Sequence, residues 1–142
     1  MGRFSIAQQV YFITFVTKNR NPIFKEFGLA CTAARILSDK ILWADAALLG
    51  WVLMPDHFQA FVEIGENKTL ASIIKTAKGR SAREINRFRL SAGSLWAHDF
   101  YDRAIRRDED LLTAARYMVL NPVRAGLVLR CGDYAFWDAV WL

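Results

Sequence analysis

The sequence predicts an α+β fold: a ferredoxin-like split βαβ sandwich with an antiparallel sheet and a C-terminal tyrosine-bearing helix. Two observations predict it. Segments rich in β-branched and aromatic residues alternate with segments of helical hydrophobic spacing, and two neighbouring strand segments are separated only by a Pro-Asp pair, which indicates a hairpin. The resulting order is β-α-β-β-α-β-α. A chain of 142 residues has the size of one ordinary domain, so residues 1–142 are treated as one.

The first half of the chain contains three predicted strands and one predicted helix. Residues 10–17, VYFITFVT, are typical of a strand and run into the turn-like KNRNP. From Phe27 to about Ala44, apolar residues recur at helical spacing and predict an amphipathic helix. Residues 46–54 and 57–64 are the two strands of the predicted hairpin.

The second half contains two predicted helices and one irregular strand. One helix begins after Thr69, a suitable N-cap, and extends through Arg87, with Gly79 as a point of weakness. The segment WAHDFYDRAIR indicates a fourth strand with irregular pairing. RDEDLLTAARYMVLN then predicts a helix that stops at Pro122, and the aromatic-rich tail after Gly126 is expected to pack against the domain.

Composition excludes several classes of protein. Hydrophobic residues make up 54% of the chain, so it folds rather than staying disordered. Cys31 and Cys131 are too far apart in sequence to suggest a zinc site or a disulfide framework. No signal-peptide pattern is present, and no segment reaches the roughly 18 apolar residues of a membrane span. We therefore expect a cytoplasmic protein with no membrane partner.

The chain carries an excess of positive charge, +5 at pH 7. Such an excess favours polyanionic partners, although moderate basicity alone is common. Much of it lies in KTAKGRSAREINRFR, residues 75–89, which is equally consistent with a solvated helix face and with a phosphate-binding surface.

His57 and Gln59 form an unusual pair directly after the Pro-Asp turn. Because side chains alternate along a strand, His57 and Gln59 share one sheet face while Phe58 and Ala60 point to the core. Both can present a lone pair to one cation. A single strand histidine is more often a satisfied polar group, so the pair is suggestive but not sufficient.

Tyr117 and Asn121 supply the missing part, four residues apart on the predicted last helix. A helix tyrosine usually belongs to the core, and an asparagine before proline usually caps a helix. In the predicted sandwich, helices cover one sheet face and the other face is left open or paired with a partner. If the last helix packs across that open face, a phenol, an imidazole and two carboxamides would converge.

Three motifs carry a resemblance to a known family. VLMPDHFQAFVE, FYDRAIR and ARYMVLNPVRAGLV occur in family-like order and spacing, and the chain resembles the single-tyrosine HUH transposases of insertion sequences. It is most similar to their REP-associated tyrosine transposase branch. The resemblance runs through nearly the whole chain.

The resemblance implies transfer of single-stranded DNA, and it assigns roles to residues. The helix tyrosine, here Tyr117, attacks a DNA phosphate to give a 5′-phosphotyrosine link and a 3′-hydroxyl. His57, Gln59 and Asn121 correspond to the metal ligands, with Mg²⁺ or Mn²⁺ expected as the ion. A phenol is a weak nucleophile at neutral pH, so a nearby cation and close positioning make chemical sense.

The chain departs from the family pattern at one ligand. The pattern is His-hydrophobic-His, and here it reads His57-Phe58-Gln59. Related viral replication initiators of the HUH class also carry Gln there, so a carbonyl oxygen can take the place of the second imidazole. Such a site is harder and suits Mg²⁺ or Mn²⁺ better than zinc, and weaker metal binding and lower activity follow as expectations.

Other residues have weaker claims to a role. Tyr101 is the rival nucleophile but has no carboxamide at helical spacing. Glu63 shares the His57 face, His98 has no partner at ligand spacing, and Trp96 or Phe100 is able to stack on unpaired bases. The family resemblance also implies hairpin DNA as partner, and the candidates for phosphate contacts are Lys75, Lys78, Arg80, Arg83, Arg87, Arg103, Arg106, Arg107, Arg116 and Arg124.

Two alternatives stay open at the level of sequence. The chain is either a nicking and joining enzyme or a catalytically weakened relative that acts as a hairpin-binding module; the split βαβ fold also hosts RNA-recognition domains, although no RNP1-like run is present. Transposases of this fold include monomers and homodimers that exchange the tyrosine helix, and composition does not decide between them.

Overall fold

The chain forms the alternating strands and helices that the sequence predicts, with one further strand near the C-terminus. The computed structural model describes residues 9–106, 108–125 and 136–139. The strands are β1 (Val10–Val16), β2 (Ala47–Met54), β3 (His57–Glu63), β4 (Tyr101–Ile105) and β5 (Trp137–Ala139). The helices are α1 (Phe27–Leu37), α2 (Leu70–Phe88), α3 (Asp108–Val119) and the single turn α4 (Asn121–Arg124).

The five strands form one antiparallel sheet in the order β4-β1-β3-β2-β5. Its first four strands have the arrangement of a split βαβ unit, in which each helix connects two strands that flank a third. The predicted fold class is therefore confirmed. The hairpin between β2 and β3 is also confirmed, with Pro55 and Asp56 as its turn.

Helices cover both faces of the sheet. Phe58, Ala60 and Val62 of β3 point to the face covered by α1 and α2 and belong to the larger hydrophobic cluster. Phe61 points the other way, into a smaller cluster with Met118 and other residues of α3. The face that the sequence left open is thus packed against α3 of the same chain.

The first helix is shorter than predicted and ends at Leu37 rather than near Ala44. The Ser38 hydroxyl donates to the Ala34 carbonyl at 2.7 Å, which satisfies the last turn. A separate 3₁₀ turn, Lys40–Trp43, follows, and the Trp43 indole N–H donates to the Leu37 carbonyl at 2.7 Å. The apolar spacing continues past Leu37 because this 3₁₀ turn is also buried against the core.

The second helix matches its prediction. Its N-cap is Thr69, whose hydroxyl accepts from the Ser72 N–H at 3.2 Å. It passes through Gly79 without a break, because Ile73, Ala77 and Ile85 bury one face of the helix along its length. Packing outweighs the low helix propensity of one glycine.

The fourth strand is shorter than predicted, because it starts only at Tyr101. Trp96 makes one isolated bridge to Thr17, and the carbonyls of residues 97–99 all accept from Lys78 Nζ. This segment is therefore held by a lysine side chain and by two backbone hydrogen bonds, Ala97 N–H to the Val16 carbonyl and Lys18 N–H to the Leu95 carbonyl, and not by a continuous strand ladder.

The C-terminal part of the chain also differs from its prediction. The predicted helix over residues 107–121 ends at Val119, and α4 starts afresh at Asn121 because Pro122 has no N–H to continue the first helix. The three-residue strand β5, which the sequence did not indicate, pairs with β2. No helix among the described residues combines the length and apolar character needed to cross a membrane.

Candidate active site

The candidate site lies at the start of β3, on the sheet face that α3 covers. His57 and Gln59 alternate with the buried Phe58 and Ala60, so they share this face as predicted, and both are half-buried. Phe61, next on the same face, is fully buried in the smaller cluster. The polar pair therefore lies at the border between the packed part of this face and solvent.

Helix α3 packs on this face through buried residues that are three positions apart. Ala115 and Met118 are buried against the sheet, whereas Arg116 and Tyr117 are exposed. Tyr117 has 64% of its surface exposed in the last turn of the helix. Its phenol is therefore accessible to a macromolecular substrate.

The turn after α3 brings the two carboxamides together. The Asn121 side-chain amide donates to the Gln59 side-chain carbonyl. Asn121 opens α4, so this contact connects the end of the tyrosine helix to β3 within one chain. The structure brings Gln59 and Asn121 into contact on the face that carries His57, while Tyr117 lies in the last turn of α3. The convergence of Tyr117 with His57 and Gln59 stays a prediction.

His57 is held by a residue that the sequence reasoning did not single out. Its Nδ1 atom lies 2.7 Å from Asp56 Oδ1, and Asp56 Oδ2 accepts from Arg20 Nε at 3.2 Å. Burial alone raises the pKa of the Asp56 carboxyl, but its hydrogen bond to His57 and the charges of His57 and Arg20 outweigh burial and hold that pKa below its usual value. The available signal was the acidic residue immediately before the histidine in MPDH.

The turn that carries Arg20 has an uncommon backbone. Asn19 and Arg20 adopt left-handed conformations, with φ of 57° and 52°. Thr17 stabilises the turn, because its hydroxyl donates to the Asn21 carbonyl at 2.8 Å and its N–H donates to the Asp56 carbonyl at 2.9 Å. Left-handed non-glycine residues are uncommon and are often found at functional sites.

The donor atoms present fit a hard divalent cation. His57 offers one ring nitrogen besides the Nδ1 engaged by Asp56, and Gln59 and Asn121 carry carboxamide oxygens of the kind that Mg²⁺ and Mn²⁺ accept. A carboxylate behind a ligating histidine is a common supporting arrangement. Among the described residues no cluster of three His, Cys, Asp or Glu side chains occurs.

Glu63 and Tyr101 share the sheet face of the site but differ in distance from it. Glu63 is at the far end of β3, about 20 Å along the strand from His57. Tyr101 pairs with Thr14, and Thr14 pairs with Gln59. Tyr101 therefore lies two strands from Gln59, a distance of about 10 Å. Tyr101 is 68% exposed, which keeps it a geometric rival to Tyr117.

The aromatic candidates for base stacking separate clearly. Trp96 is only 5% exposed, packs edge-on against Phe15 and donates its indole N–H to the Ser81 hydroxyl at 3.0 Å. It is a core residue, so the expectation that it could stack on bases is wrong. Phe100 is half-buried against the larger cluster, and His98 is exposed in the segment held by Lys78.

The basic candidates fall on two sides of the sheet. Those of α2 lie on the helix layer opposite the site, because α2 packs on the other sheet face. Lys75, Arg80, Arg83 and Arg87 are exposed there. Lys78 differs: its ammonium donates to the carbonyls of Ala97, His98 and Asp99 at 2.7, 2.8 and 3.2 Å.

Arg103 and Arg116 lie on the same side as the site. The Arg103 guanidinium is 5.8 Å from the centre of the Phe12 ring, and Arg116 is exposed beside Tyr117. Arg106 is also exposed, after β4. Arg107 and the side chain of Arg124 lie outside the part of the chain that the structure describes.

Fold and site together define a split βαβ protein in which a tyrosine-bearing helix lies over a strand with a His-x-Gln pair. The family model "Transposase IS200 like" matches residues 5–118, and the chain belongs to this transposase family. The match includes His57, Gln59 and Tyr117 and ends before Asn121. The family resemblance predicted from the motifs is thus confirmed.

Solved structures show the same fold. A REP-associated tyrosine transposase bound to a REP hairpin superposes with a TM-score of 0.74 at 21% identity, covering 96% of this chain and 80% of the other. A candidate transposase from Deinococcus radiodurans R1 superposes with a TM-score of 0.61 at 20% identity, covering 82% of this chain and 93% of the other. None of the curated proteins matches the chain.

Proposed function

We propose that this transposase nicks and rejoins single-stranded DNA beside hairpins, through a covalent link to Tyr117 and with Mg²⁺ or Mn²⁺ as cofactor. The observation that carries the proposal is the contact between Asn121 and Gln59. It brings the end of the tyrosine helix to the strand that carries His57, on one sheet face of one chain. This arrangement supports cleavage by a tyrosine from the same chain.

The reaction is a transesterification at phosphorus. The Tyr117 oxygen bonds to the phosphorus atom as the bond to the 3′ oxygen breaks, the phenol gives up its proton, and the 3′ oxygen takes one up. The products are a 5′-phosphotyrosine and a 3′-hydroxyl. Attack by a 3′-hydroxyl reverses the step and joins a new end. No nucleoside triphosphate is needed as an energy source, because one phosphodiester bond replaces another.

The site residues have two roles: some would bind the cation, and others position the nucleophile. His57, Gln59 and Asn121 would hold the cation, which when bound acts as a Lewis acid toward the scissile phosphate. Helix α3 holds Tyr117 by burying Ala115 and Met118 beneath it. Positioning of this kind matters because a phenol is a weak nucleophile that depends on orientation.

Hairpin DNA is the proposed substrate. The structural neighbour bound to a REP hairpin supports it, as does the family membership. Arg103 and Arg116 would contact phosphates of the strand that crosses the site. The exposed cations of α2 would contact a part of the DNA outside the site, since they lie on the other side of the sheet.

A second candidate is a hairpin-binding module that no longer cuts. One observation favours it: Gln59 stands where the family pattern has its second histidine, and its carbonyl already accepts from Asn121. A cation must compete with that hydrogen bond for the same oxygen. The two candidates make different predictions about cleavage and the same prediction about binding.

Covalent adduct formation separates the candidates. The protein is incubated with labelled hairpin DNA from repeats flanking its own gene, with Mn²⁺ or EDTA, and resolved by denaturing electrophoresis. We expect a Mn²⁺-dependent adduct that Tyr117→Phe abolishes and that the matched variant Tyr101→Phe retains. Hairpin binding should survive in both variants, because neither change removes a charge.

Each contrary result has a defined meaning. An adduct that persists in Tyr117→Phe and disappears in Tyr101→Phe would assign the nucleophile to β4 and overturn the proposal. Hairpin binding with no adduct in any metal, and an adduct restored by Gln59→His, would establish the binding module instead.

A further inference from the structure

Three charged or polar side chains form a chain of contacts behind the proposed metal site. Asp56 Oδ1 lies 2.7 Å from His57 Nδ1, and Asp56 Oδ2 lies 3.2 Å from Arg20 Nε and 3.1 Å from Arg20 Nη2. We propose that Asp56, oriented by Arg20, is a positioning residue that keeps the proton of neutral His57 on Nδ1. The lone pair of the imidazole then lies on Nε2.

The chemistry of the carboxylate determines this tautomer. An ionised carboxylate only accepts hydrogen bonds, so the ring nitrogen beside it must carry the proton. Histidines that bind metals commonly donate their second N–H to a carboxylate, which fixes both tautomer and ring orientation. The inference rests on the proposed function, since the position of the lone pair matters to a cation only if His57 is a ligand.

Arg20 gives the carboxylate a defined orientation. Its guanidinium can only donate, and two of its nitrogens approach the same oxygen, Oδ2, which leaves Oδ1 for His57. The backbone supports the arrangement, because the Thr17 N–H donates to the Asp56 carbonyl and the Arg20 N–H donates to the Thr17 carbonyl, both at 2.9 Å. The left-handed turn at Asn19 and Arg20 is thereby joined to the hairpin turn that carries Asp56.

This geometry predicts that Asp56→Asn reverses the tautomer. A carboxamide has one oxygen and one NH₂ group, and of these two groups only the oxygen can accept from Arg20. The NH₂ group then faces His57 Nδ1, which must become the acceptor and lose its proton to Nε2. When Arg20 is also replaced, the carboxamide can flip so that its oxygen accepts from His57 Nδ1–H again.

Tautomers are read directly by two-dimensional long-range ¹H–¹⁵N NMR of the metal-free protein. The chain has only two histidines, so His98→Gln identifies the His57 signals. Spectra are recorded at about pH 9, where the neutral form of an imidazole is observed. The control is Glu66→Gln, which removes one negative charge from an exposed loop between β3 and α2.

We expect His57 to carry its proton on Nδ1 in the unmodified protein and in Glu66→Gln. In Asp56→Asn the ratio of the two tautomers should shift about fivefold or more toward Nε2–H, as one ordinary hydrogen bond implies. Arg20→Met with Asp56→Asn should restore Nδ1–H. An Nε2–H tautomer in the unmodified protein, or an unchanged tautomer in Asp56→Asn, would overturn the inference.

Binding of Mn²⁺ alone, followed by electron paramagnetic resonance, separates this inference from the proposed function. If both hold, Asp56→Asn weakens Mn²⁺ binding roughly 10- to 100-fold, as loss of a supporting carboxylate ordinarily does. If the tautomer reverses while Mn²⁺ affinity is unchanged, the positioning role of Asp56 stands and His57 is not a metal ligand. The NMR result does not depend on cleavage activity.

Discussion

The polar residues of the candidate site contact one another in pairs, and two of these pairs join distant parts of the chain. Asn121 reaches Gln59 from the end of the tyrosine helix, and Asp56 engages His57 next to it in sequence and Arg20 from the turn after β1. All three proposed ligands are neutral donors. A neutral donor set leaves the charge of a divalent cation to be balanced by the substrate phosphates.

Adding a carboxylate to this donor set should therefore strengthen cation binding. We predict that Asn121→Asp tightens Mn²⁺ binding in the absence of DNA by about tenfold, the effect of a little over 1 kcal/mol of added attraction. Titration followed by electron paramagnetic resonance measures it. The matched control is Asn67→Asp, the same change in an exposed loop, which should leave the affinity unchanged. Equal affinities in Asn121→Asp and the unmodified protein would argue against Asn121 as a ligand.

The residue-level parts of the site differ in how far sequence could predict them. Alternation along β3 predicts that His57 and Gln59 share a face, and helical spacing puts Tyr117 near Asn121. The Asp56 contact to Arg20 spans 36 positions and depends on a left-handed turn, which no periodicity records. The burial of Trp96 was not predicted, because the segment that was read as the start of a strand forms no ladder there and its alternation does not report which way Trp96 points.

At the scale of elements, packing decides where the predicted segments begin and end. Helix α2 continues through Gly79 because one of its faces is buried, and α1 ends early because Trp43 takes a different buried position in its own 3₁₀ turn. Strand β5 has only three residues, too few for alternation to be visible in the sequence. It forms because the edge of β2 offers unpaired backbone groups to it.

Lys78 shows how one side chain can help to hold a segment that forms no continuous strand ladder. Burial lowers the pKa of its ammonium, and the charge of Asp99 offsets part of that effect. We predict that Lys78→Met lowers the free energy of unfolding by about 1–2 kcal/mol, because the carbonyls of residues 97–99 lose a charged donor. Urea denaturation measures it.

Lys75→Met is the matched control for this prediction, since Lys75 is an exposed lysine on the same helix. It should change the free energy of unfolding by no more than about 0.5 kcal/mol, as surface substitutions ordinarily do. If Lys78→Met is instead as stable as the unmodified protein and weakens DNA binding, Lys78 binds a DNA phosphate, as the sequence first suggested.

At the scale of the whole molecule, the sheet divides the positive charge into two surfaces. Arg103 and Arg116 lie on the α3 side with the candidate site, and the exposed cations of α2 lie on the opposite side. In the sequence the densest cluster of positive charge lies in α2, and nothing assigns Arg103 and Arg116 to a different surface, because charge counts carry no information on which sheet face a helix covers. Only the strand order and the two separate hydrophobic clusters show this division.

Two DNA probes can therefore distinguish the two surfaces. A short unstructured strand should need only the α3 side, so Arg103→Gln with Arg116→Gln should lower the slope of log K against log salt concentration by about 0.7 for each phosphate that is no longer neutralised. Lys75→Gln with Arg87→Gln should leave that slope unchanged. With DNA that carries a hairpin, the α2 pair should lower the slope as well, by up to about 0.9 for each phosphate.

The control for this prediction removes two positive charges elsewhere, by Lys25→Gln with Lys40→Gln, both exposed and outside the proposed DNA-binding surfaces. It should change either slope by less than the loss of one phosphate contact would. The slope counts the phosphates that the protein contacts and does not depend on the protein's net charge. Titrations over a range of salt concentrations, read by fluorescence anisotropy, give both slopes. If Lys75→Gln with Arg87→Gln lowers the slope equally with both probes, the single strand itself contacts α2. The hairpin would then have to lie on the α3 side, against the arrangement proposed above.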